Sequence, residues 1–344
     1  MEGQTWSRIM RTLLLSQITL TLYRKLPNSI RSNFVAKKLK ELILNKNRSA
    51  VSDRFETLSP SSKFNSNSAY VGVHLQGGLG NQLFQLAAGI EVAILYKKQL
   101  VLDDSALKLD YKRNFALSFL GINPDTPYEI SIIGNKLQVT AQTKTEDITW
   151  HELRENTFHY RTLDSLSITS HNCLLIGYWQ SDKYFSNVEM YLINYINSYL
   201  SKVDSADLVL HFRRGDFEDP ETRAYHGILT DAYYVSALKL MPQVSKVYLV
   251  SEDLNLRKTL DYLSSEFPKV DFRTYSKSSS VLDSVSFMAG STNLVTANSS
   301  FSWWAGKLSR SVEGKIIAPR NYFSDDTLRV NNICDLYPEN WILI

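Results

Sequence analysis

Two adjacent arginines stand in the run His211-Phe212-Arg213-Arg214-Gly215-Asp216, directly after a predicted strand. Ligands of parallel α/β sheets bind outside the carboxyl ends of the strands, which is where this run falls. Arginine presents a planar fork that suits phosphate oxygens. Side chains alternate along an extended segment, so His211 and Arg213 share one face while Arg214 points away. We predict that Arg213 binds a diphosphate and that Arg214 braces the loop by pairing with Asp216; the alternative is a surface cluster of ion pairs.

A second candidate is the turn Gly77-Gly78-Leu79-Gly80-Asn81-Gln82, which lies between a predicted strand and a predicted helix. Glycines let the backbone pass close to a ligand, and the N-terminus of a helix offers free N–H groups to an anion. The spacing differs from the dinucleotide-binding pattern GxGxxG, and no Lys-Ser or Lys-Thr pair follows as in an ATP-binding phosphate loop. The alternative is a tight turn in which Asn81 is the N-cap of the helix.

The third candidate is the run Asn298-Ser299-Ser300-Phe301-Ser302-Trp303-Trp304-Ala305-Gly306, which follows a predicted strand and opens a predicted helix. We expect Ser299 and Ser300 to cap this helix and to present hydroxyl and N–H groups to the same anion. The aromatic residues of the run are more typical of a core than of a ligand site.

A metal is not expected in this site. The chain contains no Asp-x-Asp sequence, and no set of His or Cys residues has the spacing of a zinc site. Arginine and helix dipoles can stabilise a leaving diphosphate without a divalent cation, so the sequence predicts chemistry that needs no metal cofactor.

From residue 70 onward the apolar pattern alternates between strand and helix spacing. The predicted strands lie at 70–75, 100–102, 174–177, 208–212, 247–251, 271–275, 294–297 and 315–318. The predicted helices lie at 81–98, 182–200, 231–241, 254–267, 282–289 and 301–308. Residues 105–170 are expected to hold loops, short helices and a β excursion. The predicted fold class is therefore α/β, with two Rossmann-like doubly wound domains facing a cleft.

Composition limits the class of protein. The chain has 344 residues, of which 44% are hydrophobic and 21% charged, which excludes a wholly disordered chain and a polytopic membrane protein. The net charge of +3 gives no support for a nucleic-acid partner. Two cysteines are too few for a disulfide framework and favour a reducing compartment. A cytoplasmic location is the prediction.

The positive charge is concentrated in residues 1–70, which hold 12 Lys and Arg against 4 Asp and Glu. Within them, Trp6–Tyr23 and Phe34–Leu44 place apolar residues at helical spacing but are too short and polar to span a bilayer. Three interpretations of this segment stay open. It lies on an anionic membrane surface, it packs as an arm on the protein or on a second subunit, or it is disordered. The predicted organisation is a basic arm with a Ser-rich linker over 1–69, one domain over 70–204 and another over 205–344.

In their order and separation, the three runs resemble the α-1,2-fucosyltransferase family, whose members carry GGLGNQ-, HxRRGD- and NSSFSWW-type segments. Gly177–Phe185 is similar to the family's GYxQSxKYF, and His226-Gly227 followed by Tyr233-Tyr234 is similar to its HG…DYY stretch. Ala232 departs from this pattern, because the family has an acidic residue there. The resemblance covers residues 71–325 and finds no counterpart for the basic arm.

The resemblance implies a GT-B type fold and an inverting, metal-independent transfer of L-fucose from GDP-fucose to a sugar hydroxyl, most often the 2-hydroxyl of galactose. It assigns Arg213 to the donor diphosphate, Asp283 to guanine and Asn81 to the reacting centre. The residues that it places on GDP-fucose are His211, Arg213, Arg214, Asp283, Asn298, Ser299, Ser300 and Phe301. The domain over 70–204 is then the acceptor side, and the domain over 205–344 is the donor side.

A base must accept the proton of the acceptor hydroxyl, and Asp216, Glu218 and His226 are the candidates. The predicted acceptor is a galactose-terminated glycan or a lipid-linked oligosaccharide, met at the inner face of a membrane if the basic arm binds there. Two alternatives stay open, another inverting transferase on the same scaffold and a catalytically silent protein that binds sugar nucleotides. The joint presence of Arg213, Asn81 and the serine pair argues against the silent protein.

Overall fold

The computed structural model describes residues 69–344, except 111, 144–147, 163–167, 169–171, 204–205, 215–219, 253–255, 276–279 and 329–330. The predictions for the basic arm, for Asp216 and for Glu218 therefore lie outside the described residues. Residues 68–131 and 137–344 belong to one compact unit, which contains every contact discussed below.

The first sheet is built from residues before position 180. Its strands are β1 (Tyr70–His74), β2 (Gln99–Asp103), β3 (Tyr128–Ile133), β4 (Lys136–Ala141), β5 (His151–Arg154) and β6 (Cys173–Ile176). They lie in the order β4-β3-β2-β1-β6-β5. Strand β1 pairs in parallel with both β2 and β6, whereas β3 runs antiparallel to β2. The β excursion expected within residues 105–170 is thus β3, β4 and β5.

The helices of this half are α1 (Leu79–Leu95), α2 (Ser105–Leu109) and α3 (Glu189–Tyr199). Helix α1 begins at Leu79 with Gly78 as its N-cap, so the alternative in which Asn81 caps this helix is wrong. The helix predicted over 182–200 is divided, with a 3₁₀ turn at Asp182–Phe185 before α3. The buried Glu91 carboxylate accepts the Val188 amide at 3.1 Å, which fixes the start of α3.

The second sheet contains the strands β7 (Leu208–Phe212), β8 (Lys246–Ser251), β9 (Asp271–Thr274), β10 (Asn293–Val295), β11 (Ile316–Ala318) and β12 (Ile342–Leu343). Their order is β12-β11-β10-β7-β8-β9, and every neighbouring pair is parallel. The helices are α4 (Pro220–His226), α5 (Asp231–Lys239), α6 (Arg257–Glu266), α7 (Val281–Gly290), α8 (Ser300–Lys307) and α9 (Asp325–Leu328). The described residues therefore form an α/β fold with two mainly parallel sheets, as predicted.

The last strand of the first sheet is β6 and the first strand of the second sheet is β7. The predicted domain boundary at 204/205 lies between these two strands. That each sheet is the core of its own domain stays a prediction. No helix among the residues described is both long and apolar enough to cross a bilayer.

Helices α1 and α8 join the two sheets through their buried faces. Phe84 of α1 packs on Trp303 and Trp304 of α8, with ring centroids 4.3 and 5.2 Å apart. Phe185 stacks on Trp304 at 5.4 Å, and both tryptophans are at most 1% exposed. Their prediction as core residues is confirmed, and this aromatic cluster fixes the position of α1 relative to α8.

Candidate active site

A cavity of about 1020 Å³ opens at the carboxyl ends of the central strands of both sheets. Its wall on the side of the first sheet includes Gly77, Gly78, Gly80, Asn81, Lys112, Arg113, Phe158, Tyr178 and Gln180. Its wall on the side of the second sheet includes His211, Arg213, Tyr225, His226, Ser284, Asn298, Ser299, Ser300, Phe301, Tyr322 and Phe323. The three runs singled out in the sequence therefore meet at one cavity.

The second wall is centred on Arg213, which follows β7. Its guanidinium donates to the hydroxyl oxygen of Ser299 at 2.8 Å. Ser299 is the N-cap of α8, and the same oxygen accepts the Phe301 amide at 3.3 Å. A hydroxyl that accepts two hydrogen bonds still has its own proton to donate. Arg213 and Ser299 thus form a cationic, hydrogen-bonding corner at a helix N-terminus, where an anion is stabilised.

Arg214 lies on the opposite face of this segment. Its guanidinium donates to Asp231, the first residue of α5, at 2.8 Å and lies 5.6 Å from the Phe212 ring centroid. Arg214 does not line the cavity. It braces the end of β7 through Asp231, a partner that the sequence analysis did not consider; the predicted partner, Asp216, lies outside the described residues.

The first wall is centred on the start of α1. Gly77 has φ +76°, a left-handed conformation that favours glycine. A Cβ on Gly80 would stand 2.4 Å from the Ser300 carbonyl carbon, so only glycine lets the backbone of α1 reach the backbone of α8 here. The N-termini of the two helices therefore meet at the cavity.

Two neutral amide side chains hold the first wall in place. Gln82 is fully buried and donates to the carbonyls of Gly77 at 2.9 Å and Asn114 at 2.8 Å, while its oxygen accepts the Ala116 amide. Asn81 accepts a hydrogen bond from Gln180 at 2.8 Å. Gln82 thus supports the glycine turn, whereas Asn81 lines the cavity.

Gln180 is itself held by a constrained loop. The Glu155 carboxylate accepts the amides of Tyr178 at 2.8 Å and Trp179 at 2.9 Å, and Trp179 has φ +57°. Burial raises the pKa of Glu155 despite these two amide bonds, which lower it. Glu155 fixes the backbone from which Gln180 reaches Asn81.

His211 is the buried histidine of the second wall. Burial, followed by the nearby charge of Arg213, lowers its pKa to about 3, so the imidazole is neutral at physiological pH. Its Nδ1 is buried and has no hydrogen-bond partner within the described part of the chain. His211 therefore contributes a neutral polar edge to the cavity.

Asn298 shapes the wall around His226. Its side-chain amide donates to the carbonyls of His226 at 2.9 Å, Gly227 at 3.3 Å and Tyr322 at 3.3 Å. The ring of His226 stacks on Phe323 with centroids 5.6 Å apart and lines the cavity. Asn298 is thus occupied by the protein itself, while His226 lies at the cavity.

Asp283 is the third residue of a capping box at the start of α7. Its carboxylate accepts the Ser280 amide at 2.8 Å, and its own amide donates to the Ser280 hydroxyl at 3.1 Å. Its neighbours Leu282 and Ser284 line the cavity, but Asp283 does not. The structure therefore places the predicted guanine contact in a helix cap beside the cavity.

Sequence reasoning missed several lining residues, namely Lys112, Arg113, Phe158, Tyr178, Tyr225, Tyr322 and Phe323. Arg113 lies over the glycine turn, 3.6 Å from the point where a Cβ on Gly78 would stand. Tyr322 follows β11, and its position after a strand of the second series was the one signal available for it. In the part of the chain that the structure describes, no group of three His, Cys, Asp or Glu residues has a metal-binding arrangement.

The sequence pattern of glycosyl transferase family 11 matches residues 43–344. The chain therefore belongs to glycosyl transferase family 11, which confirms the resemblance found in the sequence. The match extends beyond the predicted limits of 71–325 at both ends, so part of the segment assigned to the basic arm and linker belongs to the family region.

Two curated relatives come from Escherichia coli. An alpha-1,2-colitosyltransferase is 27% identical over 293 residues, covering 80% of this chain and 98% of its own. The O-antigen biosynthesis glycosyltransferase WbnK is 27% identical over 309 residues, covering 78% of this chain and 98% of its own. Among solved structures, FUT1 of Arabidopsis thaliana in complex with GDP is 16% identical and covers 90% of this chain and 85% of its own, with a TM-score of 0.42. Because this TM-score is below 0.5, the family assignment rests on the match of the family pattern to residues 43–344.

Proposed function

We propose that this glycosyltransferase moves L-fucose from GDP-fucose to the 2-hydroxyl of a galactose residue, with inversion at the anomeric carbon. The observation that carries the proposal is the contact between Arg213 and Ser299 where the N-termini of α1 and α8 meet. A guanidinium that can bond two oxygens at once, placed beside a helix N-terminus, is suited to bind the diphosphate of a nucleotide sugar. The two-sheet architecture is the basis on which we propose a GT-B type enzyme.

Direct displacement breaks the bond between the anomeric carbon and the diphosphate oxygen while the acceptor oxygen bonds to that carbon. Negative charge develops on the departing GDP, and Arg213 and the Ser299 hydroxyl are placed to stabilise it. We propose that this arrangement needs no metal cofactor. Of the three candidate bases, His226 lies in the described cavity, where its ring can take the acceptor proton.

One of the relatives indicates a second candidate for the donor sugar nucleotide. The alpha-1,2-colitosyltransferase shares 27% identity with this chain, and colitose is L-fucose without its 3-hydroxyl. A site that hydrogen-bonds the 3-hydroxyl rejects the deoxy sugar strongly, by about 10⁴-fold, whereas an apolar contact discriminates weakly. GDP-colitose is therefore the alternative donor.

The acceptor and the location are part of the same proposal. We propose a galactose-terminated glycan, free or linked to lipid, that is met at the cytoplasmic face of a membrane. The basic residues 1–70 and the role in O-antigen biosynthesis named for WbnK support this proposal.

The test incubates the purified chain with GDP-fucose, GDP-colitose or GDP-mannose and a panel of galactosides. Mass spectrometry gives the mass added, and NMR gives the linkage and anomeric configuration. We expect an α-1,2-fucosylated galactoside, and a preference for GDP-colitose would replace fucose as the donor sugar. Binding of GDP without turnover of any acceptor would favour the catalytically silent alternative.

A further inference from the structure

Four rings form an aromatic platform at the cavity, and the proposed mechanism uses only one of them, His226. Phe323 is the centre of the platform. Its ring centroid lies 4.9 Å from that of Phe158, 5.2 Å from that of Tyr225 and 5.6 Å from that of His226. All four residues line the cavity. Phe158 belongs to the first wall and the other three to the second, so the platform lies where the two walls meet.

Within the platform, Phe323 is buried and Tyr225 is exposed. Tyr225 is 42% exposed, and the rings of Phe323 and His226 stand nearly perpendicular to it, at 69° and 83°, so neither covers its face by parallel stacking. The carbonyl of Tyr225 accepts the Ser324 amide at 3.1 Å, and the carbonyl of His226 accepts the Asn298 side chain at 2.9 Å. Tyr225 therefore carries an accessible ring on a fixed stretch of backbone.

The platform has the chemistry of a site for a sugar ring. A sugar is apolar on its C–H faces and polar around its edge, so an aromatic ring buries the face while polar groups beside that ring bond with the hydroxyls. The polar group of the platform is His226, whose ring centroid lies 4.8 Å from that of Tyr225. A sugar that lies on Tyr225 thus has its edge beside the candidate base. The base takes its proton from the acceptor, which identifies the occupant as the acceptor sugar.

We propose that the platform of Phe158, Tyr225 and Phe323 binds the C–H face of the acceptor galactose and selects galactosides over glucosides. This inference rests on the proposed function. In galactose the axial 4-hydroxyl leaves the C–H groups of carbons 3, 4 and 5 together on one face. In glucose the 4-hydroxyl is equatorial, and the C–H group of carbon 4 lies on the opposite face. Stacking of the galactose face on Tyr225 leaves the equatorial 2-hydroxyl at the edge of the sugar, where His226 can take its proton.

The first test compares Tyr225→Leu with Tyr262→Leu. Tyr262 of α6 is the matched control, because it is also 42% exposed but does not line the cavity. Leucine keeps the apolar bulk of tyrosine but has no flat ring. In Tyr225→Leu we expect the KM for a β-galactoside to rise about three- to tenfold, with the KM for GDP-fucose within about twofold of the wild type. Tyr262→Leu should leave both constants within about twofold.

The conservative variant Tyr225→Phe keeps the ring, and we expect it to recover most of the acceptor affinity that Tyr225→Leu loses. Two results would overturn the proposal. An unchanged KM for the galactoside in Tyr225→Leu would show that the ring does not contact the acceptor. A rise in the KM for GDP-fucose, with the KM for the galactoside unchanged, would place the donor sugar on the platform instead.

The second test uses the wild-type protein and needs neither a variant nor turnover. Saturation-transfer difference NMR is recorded with GDP and a β-galactoside while the aromatic protons of the protein are irradiated. We expect the protons on carbons 3, 4 and 5 of galactose to receive the most saturation, and the matching β-glucoside to receive much less. Uniform saturation of the galactoside, or equal saturation of the glucoside, would overturn the proposal. If no acceptor is fucosylated but the expected pattern of saturation is found, the proposed function fails while the platform stands as a galactoside site.

Discussion

The starts of α1 and α8 occupy equivalent places, since each opens a helix after a central strand and faces the same cavity. At α8 the Phe301 amide is taken by the protein itself, because it donates to the hydroxyl of the N-cap Ser299. At α1 the N-cap is Gly78, which makes no side-chain bond to the helix. The second wall therefore offers a ligand a guanidinium that is bonded to a hydroxyl at a helix N-terminus. The first wall offers bare backbone and neutral amides at the start of α1, with Lys112 and Arg113 beside them.

This difference indicates a division of labour. The wall with Arg213 suits a diphosphate, because a guanidinium and a hydroxyl are held together there at the N-terminus of α8. The wall of α1, with Asn81 held by Gln180 and with the Tyr178 ring nearby, suits a neutral acceptor sugar. We infer that the donor lies on the second-sheet side and the acceptor on the first-sheet side.

The largest expected effect comes from Arg213→Lys. Lysine is a point charge and cannot replace a bidentate fork on a diphosphate, so we expect kcat/KM to fall about 100-fold or more. Arg273→Lys is the matched control, since this exposed arginine bonds with the exposed Asp271 and lies away from the cavity. Steady-state kinetics and melting curves are the measurements, and near-wild-type turnover would remove Arg213 from the diphosphate site.

The contact between the two helix starts is tested by Gly80→Ala. Its new methyl group would stand 2.4 Å from the backbone of Ser300, and overpacking of this kind costs about 1–3 kcal/mol of the free energy of unfolding. Gly78→Ala is the control, because its methyl would meet Arg113 at an ordinary 3.6 Å. Denaturant unfolding measures both, and equal stability of the two variants would contradict the close approach of α1 to α8.

The basic segment is tested by deleting residues 1–42, the part that lies before the family match. It contains eight Lys and Arg, and each basic residue near an anionic surface contributes about 1 kcal/mol. We expect co-sedimentation with anionic vesicles to weaken by more than about tenfold, with turnover of a soluble acceptor unchanged. A lowered melting temperature with unchanged sedimentation would identify a packing arm instead.

The smallest effect is expected from chelation. Because Arg213 is proposed to take the place of a metal at the leaving group, transfer should persist within about twofold in EDTA. Turnover that is lost in EDTA and restored by Mg²⁺ or Mn²⁺ would require a different account of the second wall.

Local patterns predicted the elements and the meeting of the three runs, because ligand sites of parallel sheets lie at strand ends. Trp303 and Trp304 were predictable as core from their type. The start of α1 was misplaced by two residues because Gly78 caps the helix without a side chain, so no polar residue marks it. The split of the predicted helix 182–200 depends on Glu91, about a hundred positions earlier in the chain.

Pairs that only the folded chain brings together were not predictable. Arg214 bonds with Asp231 of α5, which lies 17 positions further along the chain. Asn298 donates to the carbonyl of His226, which lies 72 positions earlier in the chain. Such contacts leave no periodic pattern in the sequence. The sequence therefore predicted only part of the lining of the second wall.

A crystal structure of the protein with bound GDP tests the central claim most directly. We predict that the terminal phosphate lies within hydrogen-bond distance, about 3 Å, of the Arg213 guanidinium and the Ser299 hydroxyl. A diphosphate bound instead beside Arg113 on the glycine turn, with Arg213 still bonded to Ser299, would contradict the division of the cavity into a donor wall and an acceptor wall.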